Sequence, residues 1–211
     1  SLSASGSDWQ EWKVRDVATS KDLSDDLKWV KFSGVSWTRD GKGFFYSRYD
    51  EPKAEALKGT NYFQKVYYHK LGTPQSEDVL VYERPDQKDW LFTGTVTDDG
   101  SYLIMTIYQG TDVKSRVYYK DLKAKDAPVV KLLDDFDAAY NFVGNQGSRL
   151  WFQTDLQAPR GKVIEVDVNK PGRDNWKVVV PEGKETLQAT TFVNNKFIAN
   201  YLKDAYTQVK V

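Results

Sequence analysis

A chain of 211 residues with thirty basic and thirty acidic side chains is long enough to bury one large core or two small ones, and its balanced charge supplies no broad positive field for nucleic acid or an anionic membrane. The absence of cysteine excludes a disulfide framework, a thiolate nucleophile and any Cys-ligated metal. No apolar run reaches the length of a membrane span, and residues 1–8 lack the basic and apolar regions of a signal peptide, so the chain reads as soluble, with cytoplasm and periplasm both open.

Thirty aromatic residues fall in short alternating runs bounded by Gly, Pro, Asp and Asn, which predicts many short antiparallel strands and almost no helix. Residues 8–14 and 29–32 read as the tail strands of an incomplete unit. A first full unit follows: a strand at Val35-Ser36-Trp37-Thr38, the turn Arg39-Asp40-Gly41-Lys42, a strand over 44–48 and a third over 64–70. The insertion over 49–63, which includes Glu51-Pro52-Lys53, is long enough to be either functional or mobile. The second unit repeats the order with a strand over 94–97, the turn Asp98-Asp99-Gly100, and strands over 102–108 and 115–121. A third runs from Tyr140 through Asn145-Gln146-Gly147 to Trp151, then 162–168 and 176–180, and a fourth starts at Leu187. Asp-Gly between apolar alternations is a strong hairpin signal, because glycine takes positive φ without penalty. The last residues, Tyr206-Thr207-Gln208-Val209-Lys210-Val211, stop inside an alternating pattern and the first is not methionine, so both ends read as cut.

Turn anchors at Gly41, Gly100, Gly147 and Asn195 are separated by 59, 47 and 48 residues, the length of a four-stranded propeller blade. The expected domain organisation is the end of one blade over 1–33, blades over 34–90, 91–138 and 139–186, and the start of another over 187–211. Three complete blades and two partial ones are fewer than a closed ring usually needs, which makes the chain part of a larger propeller.

Few residues carry recognisable chemistry. His69, the only histidine, lies inside the strand Val66-Tyr67-Tyr68-His69-Lys70 and is read as structural. No Gly-x-Ser-x-Gly elbow is present. The paired acids Asp25-Asp26, Asp98-Asp99 and Asp134-Asp135 are the residue type a glycosidase uses, but they read as turn positions, where aspartate bonds its own backbone. Calcium loops and His-x-x-x-His pairs are missing, so neither metal nor cofactor is expected. The tryptophans, among them Trp9, Trp12, Trp29, Trp37 and Trp90, are read as packing between sheets.

Two segments, Leu2-Ser3-Ala4-Ser5-Gly6-Ser7-Asp8-Trp9 and the run from Val30-Lys31-Phe32-Ser33 through Asp40-Gly41-Lys42-Gly43-Phe44-Phe45-Tyr46, closely resemble the propeller of the prolyl oligopeptidase family. So do Gln64-Lys65-Val66-Tyr67-Tyr68-His69-Lys70, Thr97-Asp98-Asp99-Gly100-Ser101-Tyr102 and Trp176-Lys177-Val178-Val179-Val180-Pro181-Glu182. The resemblance spans essentially the whole chain. It implies an all-β fold, about four blades of a seven-bladed β-propeller that caps an α/β-hydrolase domain in serine peptidases cleaving short peptides after proline. The catalytic Ser, Asp and His would belong to that hydrolase domain, the partner in the same protein, and this chain would be inactive alone. By the same resemblance Phe32, Leu91 and Thr111 would line the substrate cavity, and Asp8 would make a charged contact with the hydrolase domain. Leu91 and Thr111 depart from members that carry methionine and cysteine there.

Two other functions compete with this gating role. One is a stand-alone propeller that binds a protein or peptide on its end face, which the open-ended strand pattern disfavours. The other is a propeller glycosidase, which would need two acids facing one cavity.

Overall fold

The computed structural model describes residues 1–3, 6–52 and 61–211, so the insertion expected over 49–63 lies largely outside the described residues. Among the described residues eighteen strands form five antiparallel sheets, each a meander in chain order. The first holds β1 (Leu2–Ser3), β2 (Gln10–Asp16) and β3 (Lys21–Val30); the second holds β4 (Ser36–Trp37), β5 (Gly43–Arg48), β6 (Lys65–Lys70) and β7 (Val79–Tyr82). The third runs β8 (Trp90–Val96), β9 (Tyr102–Gln109), β10 (Arg116–Asp121) and β11 (Val129–Leu133). The fourth runs β12 (Tyr140–Gln146), β13 (Arg149–Thr154), β14 (Lys162–Asp167) and β15 (Lys177–Val180). The last has β16 (Thr186–Val193), β17 (Lys196–Lys203) and β18 (Tyr206–Lys210).

The hairpin turns follow from their sequences. In Thr38-Arg39-Asp40-Gly41 the Asp40 carboxylate accepts the Thr38 hydroxyl (2.8 Å) and the Lys42 N–H (3.1 Å), while Gly41 sits at φ +67°. Thr97-Asp98-Asp99-Gly100 repeats this, Asp99 accepting from Thr97 Oγ1 (2.8 Å) and Ser101 N–H (2.9 Å) with Gly100 again at +67°. The matching side-chain circuits explain why both Asp-Gly turns are placed correctly by sequence alone. The hairpin between β16 and β17 turns instead on Asn194 and Asn195, both at positive φ, as asparagine tolerates.

The chain forms two compact units, Ser1–Val96 with Ile107–Thr111, and Thr97–Thr106 with Asp112–Val211. In the first, Leu27 and Val30 of β3 pack with Phe44 and Tyr46 of β5 and Tyr67 of β6. The second is built on Ile104, Val117, Leu150, Phe152, Ile164 and Val166, and a further cluster joins Trp151 and Val163 to Leu187, Ala199 and Tyr201. In each, inward residues recur at every second strand position, the pleat period that drove the strand assignment.

The structure departs from the sequence reading in four places. The strand expected near 29–32 is ten residues long and begins at Lys21; its first four residues are exposed and only Leu23 among them is apolar, so they carry no apolar alternation to read. The outer strands β7 and β11 were not anticipated, being short edge strands with little inward apolar pattern. Asp25 is not a turn residue: it lies buried within β3, held there by partners distant in sequence. Trp90 is core at 5% exposure, but Trp37 is 44% exposed and does not serve as buried packing.

Candidate functional site

The end of β3 and the loop after it bring several distinctive residues together. Trp29, the penultimate residue of β3, and Phe32, just beyond it, both adopt left-handed backbone at φ +61° and +53°. An aromatic residue in that region costs about 1–2 kcal/mol, a strain that persists only where surrounding contacts fix it. Here they do. The Tyr49 N–H donates to Trp29 O (3.0 Å), and the Gln64 carboxamide donates to Lys31 O (2.9 Å) and Phe32 O (3.3 Å).

The outcome is an aromatic side chain held out from the protein: Phe32 is 59% exposed. Lys31 Nζ lies 5.1 Å from the Phe32 ring centroid and 5.5 Å from that of Trp9, within cation–π range. The same ammonium donates to Asn61 Oδ1 (3.0 Å) and stands 3.4 Å from Asp8 Oδ2. Asp8 and Phe32 are therefore linked through one lysine. Trp9 packs edge-on against Trp29 (6.0 Å) and Tyr49 (5.8 Å). Burial pushes the Tyr49 phenol up to about 12, so it stays neutral at physiological pH.

Leu91 is half-buried in β8. Its neighbour Phe92 donates its N–H to Gln64 Oε1 at 2.6 Å, so the residue that fixes the Phe32 loop also fixes the strand carrying Leu91. Thr111 is exposed in the turn after β9, following Gly110 at φ +60°. Asp8, Phe32, Leu91 and Thr111 all belong to the first compact unit. Asp8 and Phe32 share Lys31, and Gln64 bonds both the Phe32 carbonyl and the N–H of Phe92, the residue next to Leu91.

His69 is occupied elsewhere. Its side chain has no exposure, with Nδ1 2.6 Å from Asp78 Oδ1 and Nε2 2.8 Å from Asp25 Oδ1. A carboxyl oxygen stands at each ring nitrogen, so both ring positions are committed to hydrogen bonds inside the protein. Asp78 also accepts the Tyr46 hydroxyl (2.6 Å), and Gln75 donates to that hydroxyl (2.9 Å) while exchanging two bonds with the Lys28 backbone. Burial, then the Asp78 contact, drives the Tyr46 phenol far above its ordinary value. The only histidine in the chain is thus sealed between carboxylates, out of reach of substrate.

Among the described residues no group of three His, Cys, Asp or Glu is placed to hold a metal ion, and no helix is long and apolar enough to cross a membrane. Asp98-Asp99 is a turn, as its residues suggested, while Asp25 of the first acidic pair serves His69. The exposed set can make apolar, cation–π and charged contacts, but it holds no nucleophile with an adjacent base. Gln64 and Ser47, both 1% exposed, were not singled out by sequence. The available signal was a polar residue in the inward phase of a strand: Gln64 is two residues before Val66, which is fully buried.

A family model described as prolyl oligopeptidase, N-terminal beta-propeller domain, matches residues 1–211. A prolyl endopeptidase of Elizabethkingia meningoseptica is 38% identical over 211 residues, covering 100% of this chain and 29% of that protein. Prolyl oligopeptidase A of Amanita bisporigera is 34% identical over 218 residues, covering 92% and 28%. Among solved structures, one from a study of two prolyl endopeptidases and the role of inter-domain dynamics superposes with a TM-score of 0.86 at 36% identity, over 97% of this chain and 29% of that one. Prolyl oligopeptidase B from Galerina marginata, bound to a 35mer hydrolysis and macrocyclization substrate, superposes at 0.84 and 30% identity over 97% and 30%. The chain spans less than a third of the length of these relatives.

Proposed function

Because the chain belongs to the prolyl oligopeptidase family as its N-terminal β-propeller domain, we propose that it is the non-catalytic, substrate-gating part of a serine peptidase that cleaves short peptides after proline. Bond cleavage falls to an α/β-hydrolase domain of the same protein, where a serine nucleophile, its histidine base and an oxyanion hole carry acyl transfer. The propeller restricts which peptides arrive there and contributes side chains to the cavity wall.

Phe32, Leu91 and Thr111 are the wall residues in this reading, and Asp8 meets the hydrolase domain. The observation that carries it is Phe32, an aromatic side chain held 59% exposed on a left-handed backbone. A strained, solvent-facing aromatic has no packing reason to be there, and apolar substrate side chains supply one. A proline-containing oligopeptide is the ligand class, consistent with the 35mer bound to the Galerina marginata relative.

The test compares the chain 1–211 with the enzyme that carries it, on a chromogenic peptide with proline before the scissile bond. The expected result is turnover by the enzyme and none by the chain 1–211, the sealed His69 offering no base. Turnover by the chain alone, surviving removal of contaminating peptidases and inhibited by no serine-directed reagent, would overturn the assignment.

A further inference from the structure

A buried polar circuit surrounds the Phe32 loop. Gln64 accepts the Phe92 N–H (2.6 Å) and donates to the carbonyls of Lys31 (2.9 Å) and Phe32 (3.3 Å). Ser47 of β5 closes the ring from the other side. Its N–H donates to Ser33 Oγ (2.8 Å), and its hydroxyl donates to Phe92 O (2.7 Å). The carbonyls of Lys31 and Phe32 are therefore held by Gln64, Ser33 is held through its hydroxyl, and Phe92, next to Leu91, is gripped through both its N–H and its carbonyl. The Gln64 side chain joins these two stretches of chain, Ser47 joins them through its hydroxyl at Phe92 and its backbone N–H at Ser33, and both residues are nearly inaccessible to water.

An amide with every polar atom paired inside a protein is a rigid spacer, because breaking any one bond strands a buried partner. Gln64 also meets the condition that left-handed Phe32 imposes. Carbonyls 31 and 32 bond one Nε2, which fixes the peptide plane between Lys31 and Phe32 and with it the direction of the phenyl ring. From this circuit we infer that Gln64, supported by Ser47, is a positioning residue for substrate selection: it sets the placement of Phe32 relative to Leu91 and so the shape of the wall beyond the proline pocket. The inference rests on the reading of Phe32 and Leu91 as wall residues. Gln64 itself touches no substrate and acts through the placement of Phe32.

The test uses the enzyme that carries this chain, with the variants Q64L, S47A and F32A and the double variant Q64L/F32A. Two peptide substrates are compared, one ending at the proline pocket and one extended by two residues beyond it. Q64L is expected to raise KM for the extended peptide about tenfold while kcat and the short peptide are unchanged, the split that marks lost binding rather than lost chemistry. S47A gives the same pattern at smaller size, since one of the two grips on Phe92 is lost. The double variant is expected to be no worse than F32A, because Gln64 works through Phe32.

Hydrogen exchange supplies a readout independent of activity. Q64L should accelerate exchange at the Phe92 amide and over residues 31–34, and should leave β13 unchanged. Unchanged exchange there, equal losses on both peptides, or additive effects of Q64L and F32A would each overturn the positioning role. Accelerated exchange together with a silent F32A would leave the circuit standing and refute the wall assignment. Should Q64L fail to fold, S47A carries both measurements, and a silent S47A overturns the role.

Discussion

Replacing His69 with leucine should be among the most damaging single changes available to this chain. The imidazole sits between Asp25 and Asp78 with no exposure on any of the three side chains. Leucine has a similar volume but cannot hydrogen-bond, so both carboxyl groups lose a partner while remaining out of water. Stranding a buried hydrogen-bonding group costs about 1–3 kcal/mol, so losing both contacts amounts to about 3–5 kcal/mol, a large fraction of the ~5–15 kcal/mol that holds a domain together. For a chain of this size each kcal/mol moves Tm by about 2–4 °C, so a fall of at least about 6 °C is expected in differential scanning calorimetry. The partners rank by what else they hold. Asp25 Oδ2 has no hydrogen-bond partner among the described residues, so D25N keeps the acceptor for His69 and Gly72 and loses little geometry. Asp78 uses both oxygens, for His69 and Tyr46, so D78N forces an amide group against a donor and costs more. A loss below about 1 kcal/mol for H69L, or D25N proving worse than D78N, would refute this account of the cluster.

Three further outcomes can be checked. Asp99 is drawn up by partial burial, but the bonds from Ser101 and Thr97 outweigh it and hold its carboxyl at about 2. That lies below its ordinary value, so the stabilisation is complete above about pH 4 and lost as pH falls through about 2; solvent exposure limits it to about 1 kcal/mol, and D99N should flatten that part of an acid-unfolding curve. A methyl group on Gly43 would stand 2.3 Å from His69 O and 2.5 Å from the Tyr68 hydroxyl, so G43A should cost about 2–3 kcal/mol by urea unfolding, whereas G34A, which meets open space, should be near neutral. F32A, removing an exposed ring from strained backbone, should leave Tm within about 2 °C while raising KM for extended peptides.

What the sequence could carry is local. Asp40-Gly41 and Asp99-Gly100 encode their turns within five residues, and the aromatic alternations encode the inner strands. Strand β3 was only half legible because its polar half is recruited by His69, 44 residues away in sequence, and no local pattern records that. The same holds for Gln64, whose partners at 31, 32 and 92 are distant in the chain. Phe32 was reachable by resemblance, yet its left-handed backbone was not, since nothing in Lys31-Phe32-Ser33 asks for positive φ. The outer strands β7 and β11 escaped because, at four and five residues with no regular inward alternation, they are too short to show a period.

Photo-crosslinking tests the cavity-wall claim most directly. A proline-containing peptide carrying benzoylphenylalanine two residues before the proline would be photolysed on the enzyme and the attachment sites mapped by mass spectrometry. The account predicts labels at Phe32, Leu91 or Thr111, suppressed by excess unlabelled peptide. Suppressible labelling confined to residues outside 1–211 would contradict it.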